Sequence, residues 1–394
     1  MLDWLIVGGG IHGTMLSLYL RRVGVPCERL RVVDPHPEPL SRWRRFTAST
    51  GMQFLRSPSV HNLDMDPFAL DRFAAKWKER RRSRTFAWPY SRPSLELFQA
   101  HAAHLVRTHG LEDLRLRATA RGLTRTAHGS WRVETGEGVL EARRVVLAVG
   151  AGDQPSWPEW ARALEAEGGA VHHVFGPDFD RDLIPPSDAV AVVGGGITAV
   201  QLALALAQRA PGQVTLLSGH AMRIHQFDSD PGWLGPRYME AYRRLQCPKA
   251  RRRTILGARN RGSIPTDVAA ALRGAVRDGM LRHWQARVSS AARDGEAVQL
   301  TLNQAPGTLL VRRVVLATGF LRTRPGGAWL DRAVAELSLR CAPCGFPLTD
   351  ARLEWAPGLH VMGPLAELEV GPIARNISGA QVAATQLAAV ARSA

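Results

Sequence analysis

Two glycine-rich turns dominate what this chain can fold into: WLIVGGGIHGTML at residues 4–16 and VVGGGITAVQLAL at residues 192–204. Each leaves a short apolar strand and enters an apolar helix. A second pair of matching segments follows them, ARRVVLAVGA (142–151) and VRRVVLATGF (311–320), each reading as a buried strand ending in glycine. Before each of these the sequence alternates with hairpin-type turns, as a β-meander does. Strand, glycine turn, helix, second strand, meander and closing strand is the order of a doubly wound nucleotide-binding domain. The chain carries that plan twice, so the predicted fold is α/β with two Rossmann-like dinucleotide-binding domains.

Between the two copies, AVGAGDQPSWPEW (148–160) is rich in Gly and Pro and reads as a crossing linker. After the second closing strand the tail supplies another strand and a long Ala-rich helix, too little for a third domain. The tail is therefore expected to return and complete the first domain. This makes the first domain discontinuous, with residues 1–157 as its first part, the second domain inserted over 158–314, and 315–394 as the return segment and C-terminal helix.

In GGGIHG, Gly8 permits the tight turn, Gly10 lets the backbone approach a pyrophosphate, and Gly13 lets the helix pack closely on the sheet. Asp34 closes the second strand 24 residues after Gly10, placed to accept hydrogen bonds from an adenosine ribose. In GGGITA, Gly194 and Gly196 keep these roles and Ala199 takes the third position. The strand after it ends at Ser218 with no carboxylate until Asp228. A carboxylate would repel a 2′-phosphate, whereas Ser218, His220 and Arg223 can hydrogen-bond or pair with one, so this turn suits NADPH. The first turn is assigned to FAD, because only the first domain gains the tail. There Gly371, Pro372 and the backbone around Asn376 in EVGPIARN put a helix N-terminus near the flavin ring. Trp43, Gly150, Thr318 and Gly319 complete the expected cofactor-binding set. Two dinucleotides facing each other across a crevice allow hydride to pass from one to the other.

Composition bounds the rest. The 394 residues are 45% hydrophobic, enough to bury large cores. No apolar run approaches the roughly 18 residues of a membrane span, and the first strand begins by Trp4, which leads to an expected cytoplasmic location. The formal charge is +16, and of 51 basic residues only Lys76, Lys78 and Lys249 are lysines. The densest runs are RRRSR (80–84) and KARRR (249–253). They lack an accompanying helix-turn-helix, zinc finger or aromatic-interleaved stripe, so solvated faces and attraction for phosphate-bearing cofactors are favoured over nucleic acid. A small-molecule substrate is the expected partner, and a homo-oligomer is compatible with this composition. The four cysteines fit a reducing compartment, and no metal site is expected.

With both turns and the ATGF segment in place, the chain resembles the two-dinucleotide-binding flavoproteins, and among them the flavin-dependent (class B) monooxygenases. GMQFLRSPSVHNLDMDPFAL (51–70) is similar to the Met-Gln, Lys-Asp-Leu, Pro stretch of the lysine and ornithine N-hydroxylases, and YSRPSLELFQAH to their Arg-containing helix start. The resemblance places Gln53 beside the flavin. His-Asn-Leu stands where the family has Lys-Asp-Leu for the amino-acid carboxylate, leaving His61 or Arg56 as replacements. ARNRGSI puts Asn260 where the family has the Asn of an Asn-Tyr pair at nicotinamide and substrate, with Arg261 in place of the tyrosine. GGAVHHVFGPDF supplies Gly168 and His172 of the FxGxxxHxxxW linker pattern without its aromatics. The implied activity is hydroxylation of nitrogen or another soft nucleophile through a flavin C4a-hydroperoxide, in a roofed pocket where Gln53 and Asn260 serve as catalytic groups. The stretch FDSDPGWLGPRYM (227–239) reads as a lid or a plain connecting loop.

Two alternatives stand beside it. A disulfide or other acceptor reductase would use Cys341 and Cys344 of CAPCGFP as a redox pair, although the cysteines of such reductases lie near a glycine turn and here ASTGMQFL and IPPSDAVAVV contain none. A non-catalytic redox sensor or scaffold would keep both nucleotide sites without turnover.

Overall fold

The computed structural model describes residues 1–78 and 85–393, so the RRRSR stretch (80–84) lies outside the described residues. The first glycine turn springs from the strand Leu2–Val7, the centre of a sheet ordered Glu354–Ala356, Leu359–Val361, Gly138–Leu147, Leu2–Val7, Leu30–Asp34, Arg115–Arg117. Its central pairings are parallel. Parallel strands covered on both faces read as continuous apolar runs, which is why LDWLIV and RRVVL carry no alternation. The meander Ala120–Arg125, Trp131–Thr135, Gly138–Leu147 is antiparallel and does alternate.

The second copy repeats the plan. Leu281–Gln285, Val214–Ser218, Val190–Val193, Arg313–Leu316 and Val171–His173 form a wholly parallel five-stranded sheet. Its meander, Val288–Asp294, Ala297–Leu302, Thr308–Val311, stands as a separate antiparallel sheet. The chain leaves the first sheet after Leu147, builds the second between Val171 and Leu316, and returns when Leu359–Val361 pairs in parallel with Gly138–Leu147. The long C-terminal helix Ile377–Arg392 then packs against the helix Ile11–Arg22 that follows the first glycine turn. Gly379 lets that helix start close against the turn before it, since a Cβ there would lie 2.1 Å from the carbonyl oxygen of Ile373. No helix among the described residues is long and apolar enough to cross a membrane.

Two arginines tie the lobes together. Arg56, from the first lobe, donates to the carbonyls of His225 (2.7 Å), Gln226 (3.0 Å) and Phe227 (3.0 Å) and to Ser263 Oγ (2.8 Å) in the second. Arg92, 2% exposed, bonds Asp267 Oδ2 at 2.6 Å. Asp267 is 47% exposed, so water screens that pair to about 1 kcal/mol or less. The four charge-assisted bonds of Arg56, three of them part-buried and individually worth about 1.5–3 kcal/mol when desolvated, make it the stronger clamp. Aromatic packing adds to the join: Phe175 stacks on Phe320 with centroids 4.8 Å apart, and Phe46 from the first lobe lies 4.6 Å from Phe175.

Gly13 is the tightest point of the first turn. A Cβ there would fall 1.8 Å from the carbonyl oxygen of Gly8, a backbone atom that cannot yield without moving the strand. Gly13→Ala is therefore expected to destabilise the first lobe by about 3 kcal/mol or more through overpacking, read as a lowered melting temperature and a fall in bound flavin. Normal stability and full flavin content would contradict this packing.

Burial also holds the imidazole of His101, which packs against Phe73 at 5.2 Å, and that of His173 at a pKa of about 4, below the ordinary 6.5. Unfolding restores the higher value, so between pH 6.5 and 4 the unfolded chain takes up protons that the folded chain refuses. Stability is full above about pH 6.5 and is lost as the pH falls toward 4, by on the order of 3 kcal/mol for each imidazole. Denaturant midpoints measured across this range should fall with acidity, and His101→Leu should flatten the fall; an unchanged slope would sink the assignment for that residue.

Candidate functional site

Both glycine turns open into one cavity of about 1340 Å³. That exceeds the ~300–1,000 Å³ of an ordinary ligand pocket and leaves room for more than one bound molecule. Gly8 and Gly10 line it from the first lobe, Gly194 and Gly196 from the second. Gly8 has φ +113°, a left-handed backbone that a side chain rarely adopts, and a Cβ there would meet the carbonyl oxygen of Ala148 at 2.4 Å. At Gly10 a Cβ would meet nothing within 4 Å, so the open space there is the concavity itself.

The helices behind the turns are built for anions. Ile11–Arg22 and Ile197–Arg209 begin after Gly10 and Gly196, have no side-chain cap and carry no acidic residue in their first turns. Their first N–H groups and the positive ends of their dipoles therefore stay available to phosphate oxygens. Ala199, fully buried under Gly194, replaces the third glycine of the second turn, and Gly13 packs behind the first. Neither borders the cavity.

Asp34 does line it. Its Oδ2 accepts from the Gly9 N–H at 2.6 Å and its Oδ1 from the His36 N–H at 2.9 Å, while the Arg115 guanidinium stands 3.5 Å away. The carboxylate is thus fixed in place by backbone donors, with lone pairs left for hydroxyl groups. Trp43, Gly150, Thr318, Gly319, His220, Asn260 and Asn376 also border the cavity. Thr318 Oγ1 donates to the carbonyl of Ser156 and lies 3.3 Å from His173 Nε2. Asn260 donates its amide to the Phe227 carbonyl at 3.0 Å, and its side-chain oxygen has no partner among the described residues. Asn376 caps the C-terminal helix with its backbone and without a side-chain bond.

Other sequence-predicted residues stand elsewhere. Gln53 is exposed and off the cavity; its backbone carbonyl accepts from Leu95. Ser218 is fully buried and its hydroxyl is engaged with His283 Nε2 at 2.9 Å, a partner on the neighbouring strand that a linear reading cannot see. Arg223 is exposed and reaches only the Arg261 carbonyl. Gly371 and Pro372 are buried behind the cavity, where the Pro372 carbonyl accepts from Arg259 at 3.3 Å. Arg56 lines the cavity but spends its donors on the lobe clamp, which leaves His61 as the freer group at the position of the family's lysine. Its imidazole is held neutral by burial, with a pKa of about 4. Gly168 and His172 lie away from the cavity; the adjacent His173, one register step on, is the histidine beside Thr318.

Sequence reasoning passed over several lining groups. His12, in the x-x of the first turn, is half-buried, has its pKa lowered by desolvation to about 4, and bonds the Ala374 carbonyl at 2.9 Å, joining the turn to the tail. Phe46 and Phe320 form part of the wall, as do Arg259, Arg322 and Arg375. Arg322 follows the ATGF segment and Arg375 sits inside GPIARN, so position relative to motifs was the available signal. No cysteine borders the cavity. Cys341 is half-buried and Cys344 exposed, both free, and among the described residues no third metal-binding side chain gathers with them.

Comparison with known proteins agrees with this architecture. The FAD-NAD(P)-binding family matches residues 5–152. No curated protein matches the chain in sequence. Among solved structures, the reduced form of ornithine hydroxylase from Pseudomonas aeruginosa superposes with a TM-score of 0.77 at 16% identity, covering 100% of this chain and 99% of that one. The FAD-bound cadaverine monooxygenase of desferrioxamine biosynthesis from Erwinia amylovora gives 0.74 at 13%, over 98% and 93%. Bacillithiol disulfide reductase from Bacillus cereus gives 0.61 at 18%, over 100% and 99%. These likenesses establish the fold. The match of residues 114–386 to the pyridine nucleotide-disulphide oxidoreductases spans more than half of the sequence, and the chain belongs to that family.

Proposed function

We propose that the protein is an FAD-dependent, NADPH-using monooxygenase that hydroxylates an amine nitrogen of a small molecule. One observation carries this reading: the cavity joining the two glycine turns is walled by aromatic rings, polar groups and arginines and is bordered by no cysteine. A disulfide reductase needs its thiol pair within reach of the flavin, and CAPC lies off the cavity, with Cys341 held in a bridge to Pro347. The higher structural likeness to an ornithine hydroxylase and a cadaverine monooxygenase than to a disulfide reductase supports the same choice.

In this reading the Gly8–Gly10 turn and Asp34 hold FAD, and the Gly194–Gly196 turn holds the pyridine nucleotide. Bound FAD supplies the hydride-accepting and oxygen-activating chemistry. The chain's own residues orient and shelter. Asn260 offers a free amide oxygen to a donor on substrate or nicotinamide. His61, uncharged at neutral pH, accepts a hydrogen bond from an amine without repelling it as a cation would. Phe46 and Phe320 exclude water from the wall.

The preference for NADPH rests on the end of strand Val214–Ser218. With Ser218 engaged by His283, the groups beside that end are His220, whose ring packs against Gly195, and Arg287, whose Nε donates to the Gly219 carbonyl at 3.1 Å. Arg287 is exposed and can turn a guanidinium to a 2′-phosphate.

Flavin-loaded protein should oxidise NADPH in air and release hydrogen peroxide, and an added diamine or diamino acid should divert that flux to an N-hydroxylated product detected by mass spectrometry. Cys341→Ser should leave the rate within about twofold. Loss of turnover in Cys341→Ser, with reduction of a disulfide acceptor by the parent protein, would overturn the reading in favour of a reductase.

Arg287→Gln should raise the KM for NADPH roughly 10-fold, the value of one charge-assisted hydrogen bond, while that for NADH changes little. Equal effects on both nucleotides would remove Arg287 from 2′-phosphate recognition.

A further inference from the structure

Five arginines gather where three segments meet: Arg252 and Arg259 from helix Pro248–Ala258 and its end, Arg261 just beyond, Arg322 after strand Arg313–Leu316, and Arg375 before the C-terminal helix. All but Arg252 line the cavity. Two carboxylates pair with them. Asp228 takes Arg259 at 2.5 Å, and the buried Glu367 takes Arg252 and also Arg375, the latter at 2.9 Å. That leaves the side chains of Arg261 and Arg322 without a carboxylate partner among the described residues.

Their backbones are held even though their guanidiniums are not. The Arg322 carbonyl accepts from Arg252 Nη2 at 2.7 Å, and the Arg261 N–H donates to the Arg259 carbonyl at 2.9 Å. Arg252 is itself stacked over the Phe346 ring at 4.3 Å. The cluster is therefore a built feature, with fixed positions and free charged ends. The crowding is felt: burial first, then Arg322, Arg259 and Arg375, push the Arg261 guanidinium down to about 10. Gathering like charges in a partly buried cleft opposes folding unless an anion joins them, which is why such clusters mark binding sites.

We propose that Arg261 and Arg322 form a binding site for a multiply charged phosphate or carboxylate anion. This deepens the functional reading above and rests on it only in taking the cavity as the ligand site. Two ligands can bring that chemistry. Gly262, next to Arg261, lies 3.4 Å from where a Cβ of Gly196 would stand, so a phosphate of the pyridine nucleotide over the second turn is one source. An acidic group on the amine substrate is the other. A planar guanidinium pair binds either with two-pronged hydrogen bonds.

Calorimetric titration of the flavin-loaded protein with inorganic pyrophosphate reads the site without turnover, so its outcome is independent of whether any amine is hydroxylated. The wild-type protein should bind pyrophosphate, Arg261→Gln and Arg322→Gln should each weaken binding about 10-fold, and the pair together about 100-fold. Arg322 is exposed, so the charge reversal Arg322→Glu tests the site with little risk to the fold, and flavin content checks folding in every variant. If saturating NADP⁺ displaces pyrophosphate and NADP⁺ itself binds more weakly to the variants, the anion is the nucleotide's. If pyrophosphate still binds with NADP⁺ in place, the anion belongs to the substrate. Failure of the wild-type protein to bind pyrophosphate, or equal affinity in wild type, Arg322→Glu and the double variant, overturns the proposal.

Discussion

Two uncapped helix N-termini facing one cavity are the constraint on which the rest of this molecule depends. Each helix begins after a glycine that offers no side-chain oxygen to its first N–H groups, and each first turn lacks acidic residues. Orphan amides at a partly buried helix start are costly unless a polar partner arrives. The fold supplies none from the protein, so the partner comes from the cavity, and a ligand with phosphate oxygens suits both the donors and the dipole. The sheets, the interposed second lobe and the returning tail can all be understood as the means of holding these two starts at the same space.

Holding them there needs a fixed angle between lobes. Part of the join is polar and directional: Arg56 reads three consecutive carbonyls of the opposite lobe and a serine hydroxyl. Such a clamp sets geometry more sharply than apolar contact, since a guanidinium's donors lie in one plane. It also explains why Arg56 is poorly placed to read a substrate carboxylate, although it borders the cavity. His12 makes a similar link at the other end, from the first turn to the tail at Ala374. Catalytic-looking residues in this cavity are thus partly architectural, and the groups left free, Asn260, His61, Arg261 and Arg322, are few.

The fold was largely legible because its signals are local. Glycines at fixed offsets, unbroken apolar strands and a repeated VVLAxG segment all follow from steric and burial requirements acting over a dozen residues. Many of the residues those motifs point to also border the one cavity. The misses share one cause, which is dependence on partners far away in the chain. Ser218 stood at the right place after its strand, yet His283 on the adjoining strand takes its hydroxyl. Gln53 matched a motif, yet it lies exposed and off the cavity. His172 matched a spacing, yet the strand's alternation gives the contact with Thr318 to His173.

The sequence by itself determined that two dinucleotide-binding units exist, since only glycine tolerates the backbone of Gly8 and the closeness of Gly13 to Gly8, and those demands are met within each motif. Tertiary structure alone decided which charged groups are free, because pairing depends on what other segments bring. Arg259 and Arg375 look like Arg261 and Arg322 on paper; Asp228 and Glu367 neutralise the first two and leave the others open. Charge in a cavity is a sum over neighbours in space, and no window along the chain contains that sum.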